Sequence, residues 1–381
     1  LLLTMDKVFI RQPISLRKLE DYILTAHTLF ESIIIRDEIP NNELPPCLLT
    51  QVLDDKAEAL QQFWKDTKKD HLESIYNVLP ADMPVPSKTE AFESTRFKPS
   101  QWETTPLNAF VKSQEQSNES YLEQFRAVGV AVRSIFKYAM EFGPAACTYT
   151  KGLIVHGVPG SGKSHIISYI SLVAICQGLR VMTTAIMGVR ANTFGGIHLH
   201  RLLCLPTRTT CSPSRLAELA IDKLYHKGNI FMLHCLLTVD ILVIDECGML
   251  SAEQFAILDI ILRKLRQIET PFGGVLIFGT MDHAQFSAIH GLPFLLSTHL
   301  LTDFTLVGLE HSVRASGDPD FQKLQNLTRR NPKWLKKHAL DMKPLFTDLC
   351  HQVLTFVKSW KDSKITHKVQ RMYAKRKPAQ E

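Results

Sequence analysis

The chain has 381 residues, of which 45% are hydrophobic and 22% charged, a composition and length that allow two or three domains with a large buried core. Its longest apolar runs, such as 241–244 and 294–296, are too short to cross a bilayer, so no membrane partner is expected. Asp6 and Lys7 follow the first residues directly and leave no signal-peptide core, while a start at Leu1 is typical of a fragment.

The net charge of +6 is distributed unevenly along the chain. Residues 1–120 carry 13 basic and 19 acidic side chains, whereas the remainder carries 31 basic and 19 acidic ones. This surplus favours a polyanion partner for the C-terminal two-thirds, with ordinary solvated surface charge as the alternative. The eight cysteines are scattered and lack zinc-site spacing, which favours reduced thiols in a nuclear or cytosolic compartment.

The first third of the chain is interpreted as an accessory segment, residues 1–118. Within it, apolar residues recur at helical spacing over about 54–79, and a segment rich in Pro, Ser and Thr at 80–107 predicts a linker. A second amphipathic helix is predicted over about 119–142. No catalytic constellation is present in this part, and its role is not indicated.

An alternation of strands and helices follows. The strand-like runs are 152–156, 180–186, 240–244 and 274–279, and only the connection 188–239 is long and irregular. This alternation predicts an α/β fold with a mostly parallel, doubly wound sheet, in which a nucleotide binds at the carboxyl ends of the strands. Residues 320–381 are expected to be helical and basic.

The most informative stretch is Gly157–Ser164, which reads Gly-Val-Pro-Gly-Ser-Gly-Lys-Ser and matches G-x-x-x-x-G-K-[ST] without a mismatch. A strand-like run precedes it and a helix-like run, 165–174, follows it, which is the context that the motif requires. The alternative is a glycine-rich turn without a ligand.

Each residue type in this motif suits phosphate binding. Gly157, Gly160 and Gly162 allow the tight turn that, with Ser161, brings backbone N–H groups close to phosphate oxygens. The following helix directs the positive end of its dipole at the same anion. The final two residues add a cation for the β- and γ-phosphates, Lys163, and a hydroxyl for Mg²⁺, Ser164. The motif therefore predicts ATP and Mg²⁺ as ligands.

Two adjacent carboxylates follow the apolar run that begins at Asp240. Asp245 is predicted to hold Mg²⁺, and Glu246 to orient and deprotonate the attacking water, so the pair indicates hydrolysis rather than binding alone. The alternative is an acidic pair that caps the next helix. Further along, the run 272–285 predicts a strand ending in a polar turn, where Gln285 is suited to detect the γ-phosphate through one hydrogen bond. A surface loop is the alternative there.

A fourth stretch combines hydroxyl, glycine and basic residues after the strand-like run 180–186. Between 188 and 229 there are six basic residues against two acidic ones, a pattern that suits contacts with a sugar–phosphate backbone. The residues predicted to contact DNA are Thr184, Arg190, His200 and Arg201. Phe194 and Tyr225 are candidate stacking faces, with core packing as the alternative.

In this order, the four stretches resemble the superfamily-one DNA helicases of the Pif-one/RecD-like branch, over about residues 120–330. The resemblance implies a RecA-like P-loop NTPase lobe at 119–310, followed by the start of a second, incomplete and basic motor lobe at 311–381. It implies an ATP-dependent DNA helicase that moves 5′-to-3′ on single-stranded DNA and unwinds duplex junctions. It further implies roles in DNA repair, recombination and telomere maintenance, in the nucleus or else in the mitochondrion or cytoplasm.

The resemblance also assigns two residues that no local pattern identifies. Arg314, at the end of Leu309-Glu-His-Ser-Val-Arg314, matches an arginine that reaches the γ-phosphate, and Gln124 matches the glutamine that reads adenine. Gly248 and Gly279 depart from the family pattern around the acidic pair and the Gln285 element. Because the late motifs of the family are not found, the chain is expected to be C-terminally truncated, able to bind ATP but poor at hydrolysis. A P-loop ATPase or small-molecule kinase that does not act on DNA, and a degenerate remnant that binds without turnover, are the alternatives.

Overall fold

A computed structural model of the chain describes residues 57–79, 85–93, 122–140, 150–206, 211–285 and 288–315, together with residues 322 and 329. By its contacts the chain divides into two units, residues 14–317 and residues 1–13 with 318–381, and all the elements given below belong to the first. The predicted basic helical region 320–381, apart from 322 and 329, lies outside the described residues, as does most of the predicted linker 80–107.

The described residues form helices and strands that alternate through the second half of the unit. The helices are α1 (Ala57–Val78), α2 (Lys88–Glu93), α3 (Leu122–Met140), α4 (Lys163–Cys176), α5 (Gly188–Thr193), α6 (Leu199–Leu202), α7 (Pro213–Leu224), α8 (Ile230–Thr238), α9 (Ala252–Arg266) and α10 (His299–Thr302). The strands are β1 (Gly152–Gly157), β2 (Val181–Ala185), β3 (Ile197–His198), β4 (Ile241–Asp245), β5 (Leu276–Met281) and β6 (Phe304–Leu309).

The six strands form one sheet in the order β3-β2-β4-β5-β1-β6, and every neighbouring pair is parallel. The prediction of a mostly parallel sheet is therefore confirmed. Because parallel strands run in one direction, the loops after β1, β2, β4 and β5 all emerge at the same edge. β5 lies between β4 and β1, so it separates the strand that precedes the phosphate loop from the strand that ends in the acidic pair.

Helices cover both faces of the sheet. Successive side chains of a strand point to opposite faces, so neighbouring residues of β1 pack against different helices. Leu153 and Val155 pack in a buried cluster with residues of α1, α2, α3 and α4. Ile154, between them in sequence, packs in a second cluster with residues of α6, α7, α8 and α9. This three-layer arrangement around a parallel sheet is the RecA-like P-loop fold that the sequence implies.

Helix α1, from the segment interpreted as accessory, is part of this fold. Its Leu72 and Ile75 are each 3% exposed and lie in the first cluster. Trp64 Nε1 donates a hydrogen bond of 3.0 Å to Thr238 Oγ1, and His71 Nε2 lies 3.0 Å from Thr183 Oγ1 of β2. The sequence indicated no role for residues 1–118, and in the structure α1 covers one face of the sheet.

The short edge strand β3 depends on a glycine. A Cβ atom at Gly196 would lie 2.1 Å from the carbonyl oxygen of Thr183 in β2, a distance that no side chain tolerates. Gly196 therefore lets the chain approach β2 closely enough for Ile197 and His198 to pair with it.

Candidate active site

The phosphate loop follows β1 as the motif predicts. Gly160 and Gly162 adopt φ values of +75° and +88°, a left-handed backbone that favours glycine. Lys163 is 9% exposed, and its Nζ donates hydrogen bonds of 2.9 Å to the carbonyl oxygens of Gly157 and Val158. The ammonium group is thereby held across the inside of the loop, at the N-terminus of α4, where an anion is favoured.

The acidic pair at the end of β4 is held by a residue of β5. Thr280 Oγ1 donates a hydrogen bond of 2.5 Å to Asp245 Oδ1 and accepts one of 3.1 Å from the backbone N–H of Glu246. One hydroxyl, on a residue that is 0% exposed, therefore holds both the carboxylate of Asp245 and the backbone of Glu246. The second carboxylate oxygen, Asp245 Oδ2, is buried and has no hydrogen-bond partner among the described residues. An orphaned carboxylate oxygen of this kind suits a divalent cation.

The electrostatics of the pair favour a base. Burial, and next the negative charge of Asp245, raise the pKa of Glu246 above 4.5, while Lys163 and Arg190 oppose the shift. Arg190 Nη2 lies 3.8 Å from Glu246 Oε1. A carboxylate whose pKa is raised towards neutrality is a better proton acceptor, which is the property that a general base requires.

The distance from the acidic pair to the phosphate loop follows from the sheet. Neighbouring strands lie about 4.8 Å apart, so β4 and β1, with β5 between them, are separated by about 10 Å. Lys163 is close enough to influence the pKa of Glu246. The acidic pair and the phosphate loop therefore lie at the same edge of the sheet, one strand apart.

The loop after β5 carries the predicted Gln285. Its backbone N–H donates to the carbonyl oxygen of Asp282 at 3.1 Å, and Asp282 Oδ1 accepts a bond of 3.0 Å from the N–H of Ala284. The Gln285 side chain is exposed, so its amide is accessible to a ligand. Nearby, burial, together with the charges of His283 and Lys163, lowers the pKa of His156 to about 3, so this β1 residue is neutral beside the lysine.

Gln124 and Arg314, assigned only by resemblance, both lie at the phosphate loop. Gln124 Nε2 donates a hydrogen bond of 2.8 Å to the carbonyl oxygen of Ser161. The backbone N–H of Arg314 donates one of 3.1 Å to the carbonyl oxygen of Gly160, while its side chain is exposed. Their roles towards adenine and phosphate stay predictions, but the fold brings both residues to the loop.

The residues predicted to contact DNA are in different environments. Arg201 is exposed, and the Arg190 side chain is 43% exposed, so both cations are accessible. His200 Nε2 lies 3.0 Å from Gln254 Nε2 at the start of α9. Thr184, predicted to contact DNA, is instead buried inside the sheet. The residue is 1% exposed, and its hydroxyl donates a hydrogen bond of 2.8 Å to the carbonyl oxygen of Val243 in β4. A buried hydroxyl already donating to a neighbouring strand does not present itself to a nucleic-acid backbone.

The two candidate stacking faces also differ. Phe194 is 3% exposed and belongs to the core, as the alternative interpretation has it, while Tyr225 is half-buried. The structure adds two functional candidates that the sequence analysis missed, Thr280 and Glu123. Of these, only Thr280 had a local signal, a hydroxyl near the end of an apolar strand-like run.

Within the part of the chain that the structure describes, no helix is both long and apolar enough to span a bilayer.

Comparison with known proteins gives a consistent result. Residues 132–291 match the family model described as PIF1-like helicase. Over 163 residues the chain is 28% identical to the ATP-dependent DNA helicase PIF1 of Trypanosoma brucei brucei, covering 42% of this chain and 16% of that protein. Over 195 residues it is 29% identical to the ATP-dependent DNA helicase PIF1 of Saccharomyces cerevisiae, covering 50% of this chain and 21% of that protein.

The crystal structure of Pif1 helicase from Candida albicans matches with a TM-score of 0.44 and 23% identity, covering 54% of this chain and 43% of that one. The chain thus spans about a fifth of the length of the curated relatives that it matches. Residues 132–291 are therefore similar in sequence to PIF1-like helicases, and they lie within a RecA-like P-loop fold.

Proposed function

We propose that this chain contributes the nucleotide-binding lobe of an ATP-dependent DNA helicase, in which ATP hydrolysis is coupled to movement along single-stranded DNA. The observation that carries the proposal is the juxtaposition of a phosphate loop, with Lys163 inside it, and a base whose pKa is raised, across the width of one strand. The names of the curated relatives, which are ATP-dependent DNA helicases, support it.

In this mechanism the triphosphate of ATP lies on the loop amides, and Lys163 turns from the loop carbonyls to the β- and γ-phosphates. Glu246 accepts a proton from a water molecule, whose oxygen then bonds to the γ-phosphorus as the bond to the bridging oxygen of ADP breaks. The products are ADP and inorganic phosphate. Preorganised groups lower the barrier because they need not reorient as charge develops.

Magnesium fits the residues present. Asp245, through the Oδ2 that has no hydrogen-bond partner among the described residues, and the hydroxyl of Ser164 would hold Mg²⁺, directly or through water. The ion would neutralise part of the charge on the β- and γ-phosphates. The chain's own contribution is to fix the Asp245 carboxylate through the hydrogen bond that Thr280 donates to its Oδ1.

Coupling to DNA is assigned to the loops at the same edge of the sheet. We assign the response to the γ-phosphate to Gln285, and the direct contact with that phosphate to Arg314. Arg190 and Arg201 supply cations for a single-stranded DNA backbone. Arg190 also lies 3.8 Å from Glu246, so one of the cations proposed to contact DNA is next to the proposed base. We extend the proposal to 5′-to-3′ translocation, unwinding at duplex junctions, and nuclear roles in DNA repair, recombination and telomere maintenance. A mitochondrial or cytoplasmic location is the alternative.

Binding assays test the proposal most directly. Titration with a fluorescent ATP analogue and Mg²⁺ should show binding that Lys163→Ala abolishes and Glu246→Gln retains. Single-stranded DNA should bind independently of Lys163, and Arg190→Ala with Arg201→Ala should reduce the salt dependence of the affinity, because fewer counterions are released. ATP binding that Lys163→Ala leaves unchanged would remove the phosphate-loop assignment. ATP binding without any DNA binding would favour a P-loop ATPase that does not act on DNA.

A further inference from the structure

The segment after β6 reaches the phosphate loop at two points. Ser312 Oγ donates a hydrogen bond of 2.9 Å to the carbonyl oxygen of Pro159, and the Arg314 N–H donates to that of Gly160. A Cβ atom at Gly160 would lie 2.7 Å from Arg314 Cβ, so the two backbones are in close contact. These contacts hold the backbone of Arg314 against the phosphate loop, so the Arg314 side chain begins beside the loop.

This segment is held from the other side by one carboxylate. Glu123 Oε2 accepts hydrogen bonds from the backbone N–H groups of Glu310, at 2.6 Å, and His311, at 3.3 Å. Glu123 Oε1 lies 3.0 Å from His311 Nδ1. The two residues are 187 and 188 positions away along the chain, so the contact joins the first turn of α3 to the end of the last strand of the sheet.

The charge of Arg314 also lies near the phosphate loop. The guanidinium contributes, after burial, to lowering the pKa of His165, in the first turn of α4. The cation therefore lies near the helix N-terminus that forms the end of the phosphate loop. Gln124, the neighbour of Glu123, also bonds the loop at Ser161. Two adjacent residues of α3 thus contact the loop and the segment that carries the arginine.

We propose that Glu123 is a positioning residue that fixes residues 310–314 against the phosphate loop, so that Arg314 is directed at the terminal phosphate of a bound nucleoside triphosphate. This inference rests on the proposed function. Glu123 itself does not contact the nucleotide. Its contribution comes from the two backbone hydrogen bonds rather than from the contact with the His311 ring, because the His311 side chain is 63% exposed and water competes for that contact.

A double-mutant cycle tests the proposal. Arg314→Ala should weaken binding of the triphosphate analogue about tenfold and leave ADP affinity within about twofold, because a charge-assisted contact to the last phosphate is lost. Glu123→Ala should reproduce a large part of that loss, and the double variant should bind no more weakly than Arg314→Ala alone. Glu123→Gln keeps an acceptor for the two N–H groups and should restore part of the affinity. Additive effects, or equal losses for ATP and ADP, would overturn the positioning role.

Amide hydrogen exchange provides a measurement that needs no nucleotide. Glu123→Ala should speed exchange at residues 310–314 in the free protein, while Glu73→Ala, which removes an exposed glutamate of α1, should not. Unchanged exchange at 310–314 in Glu123→Ala would refute the inference by itself. Faster exchange together with an absence of ATP binding by the unmodified protein would instead refute the proposed function and leave Glu123 without a nucleotide-related role.

Discussion

The hydroxyl of Thr280 provides the sharpest test of how the acidic pair is built. Thr280→Val keeps the branched shape of the side chain but replaces the hydroxyl with a methyl group. Asp245 Oδ1 then loses a buried donor and the Glu246 N–H loses its acceptor. Thr280→Ser is the matched control, because it keeps the hydroxyl and removes only the methyl group.

The expected loss follows from the two hydrogen bonds. A bond to a charged carboxylate contributes about 1.5–3 kcal/mol to stability and a bond between neutral groups about 0.5–1.5 kcal/mol. Because Asp245 is 3% exposed, water replaces the lost donor poorly. Thr280→Val should therefore lower the free energy of unfolding by about 2–4 kcal/mol, which for a domain of this size is a fall of about 5–15 °C in Tm.

Denaturant unfolding without nucleotide, followed by intrinsic fluorescence, measures this difference. We expect Thr280→Ser to lie within about 1.5 kcal/mol of the unmodified protein, as for the loss of a buried methyl group. A second readout is Mg²⁺-dependent nucleotide binding, which should weaken in Thr280→Val because Asp245 is no longer oriented. If valine and serine variants unfold at the same denaturant concentration, the hydroxyl does not hold the pair and the reasoning fails.

Three further predictions concern charge and packing. Because the pKa of Glu246 is raised in the fold, ionising Glu246 costs stability as the pH rises above 4.5. Glu246→Gln should therefore be more stable than the unmodified protein at pH 7, and equal stability would contradict the shift. Burial lowers the pKa of His71 to about 4. Neutral His71 therefore makes its full contribution to the free energy of unfolding above pH 6.5, and about 3 kcal/mol of that free energy is lost as the pH falls through 4. His71→Gln should flatten this acid dependence in equilibrium unfolding, and a slope identical to that of the unmodified protein would contradict it. Gly196→Ala should cost about 1–3 kcal/mol by forcing β3 away from β2, whereas Gly188→Ala, with open space around it, should be neutral or slightly stabilising; similar unfolding midpoints for the two would contradict the contact.

Much of the fold was accessible from local pattern. The strand-like runs ending before the phosphate loop and before Glu246 are β1 and β4, since apolar runs bounded by glycine or charged residues are typical of buried parallel strands. β6 was missed. Its sequence, Phe-Thr-Leu-Val-Gly-Leu, mixes Thr and Gly with apolar residues, and only half of its positions are buried, because it lies at the edge of the sheet.

The site residues also differ in whether the sequence alone could predict them. Lys163 and Glu246 lie on motifs in which every residue is close in sequence, so spacing alone identified them. Thr280 and Glu123 act across 35 and 187 residues of chain, and no periodicity encodes such pairs. Thr184 shows the converse error. A hydroxyl near a strand end suggested a ligand contact, but in a sheet buried on both faces its partner is the carbonyl of the next strand.

The place of β5 in the sheet has a consequence for the nucleotide site that we propose. Were β4 to adjoin β1, the acids would stand about 5 Å from the loop, too near for anything beyond a bare phosphate. One intervening strand doubles this span, which in the proposed mechanism leaves room for a terminal phosphate and a single water molecule in line behind it. In that mechanism the order of the strands, rather than any one side chain, sets the distance that the reacting group must span.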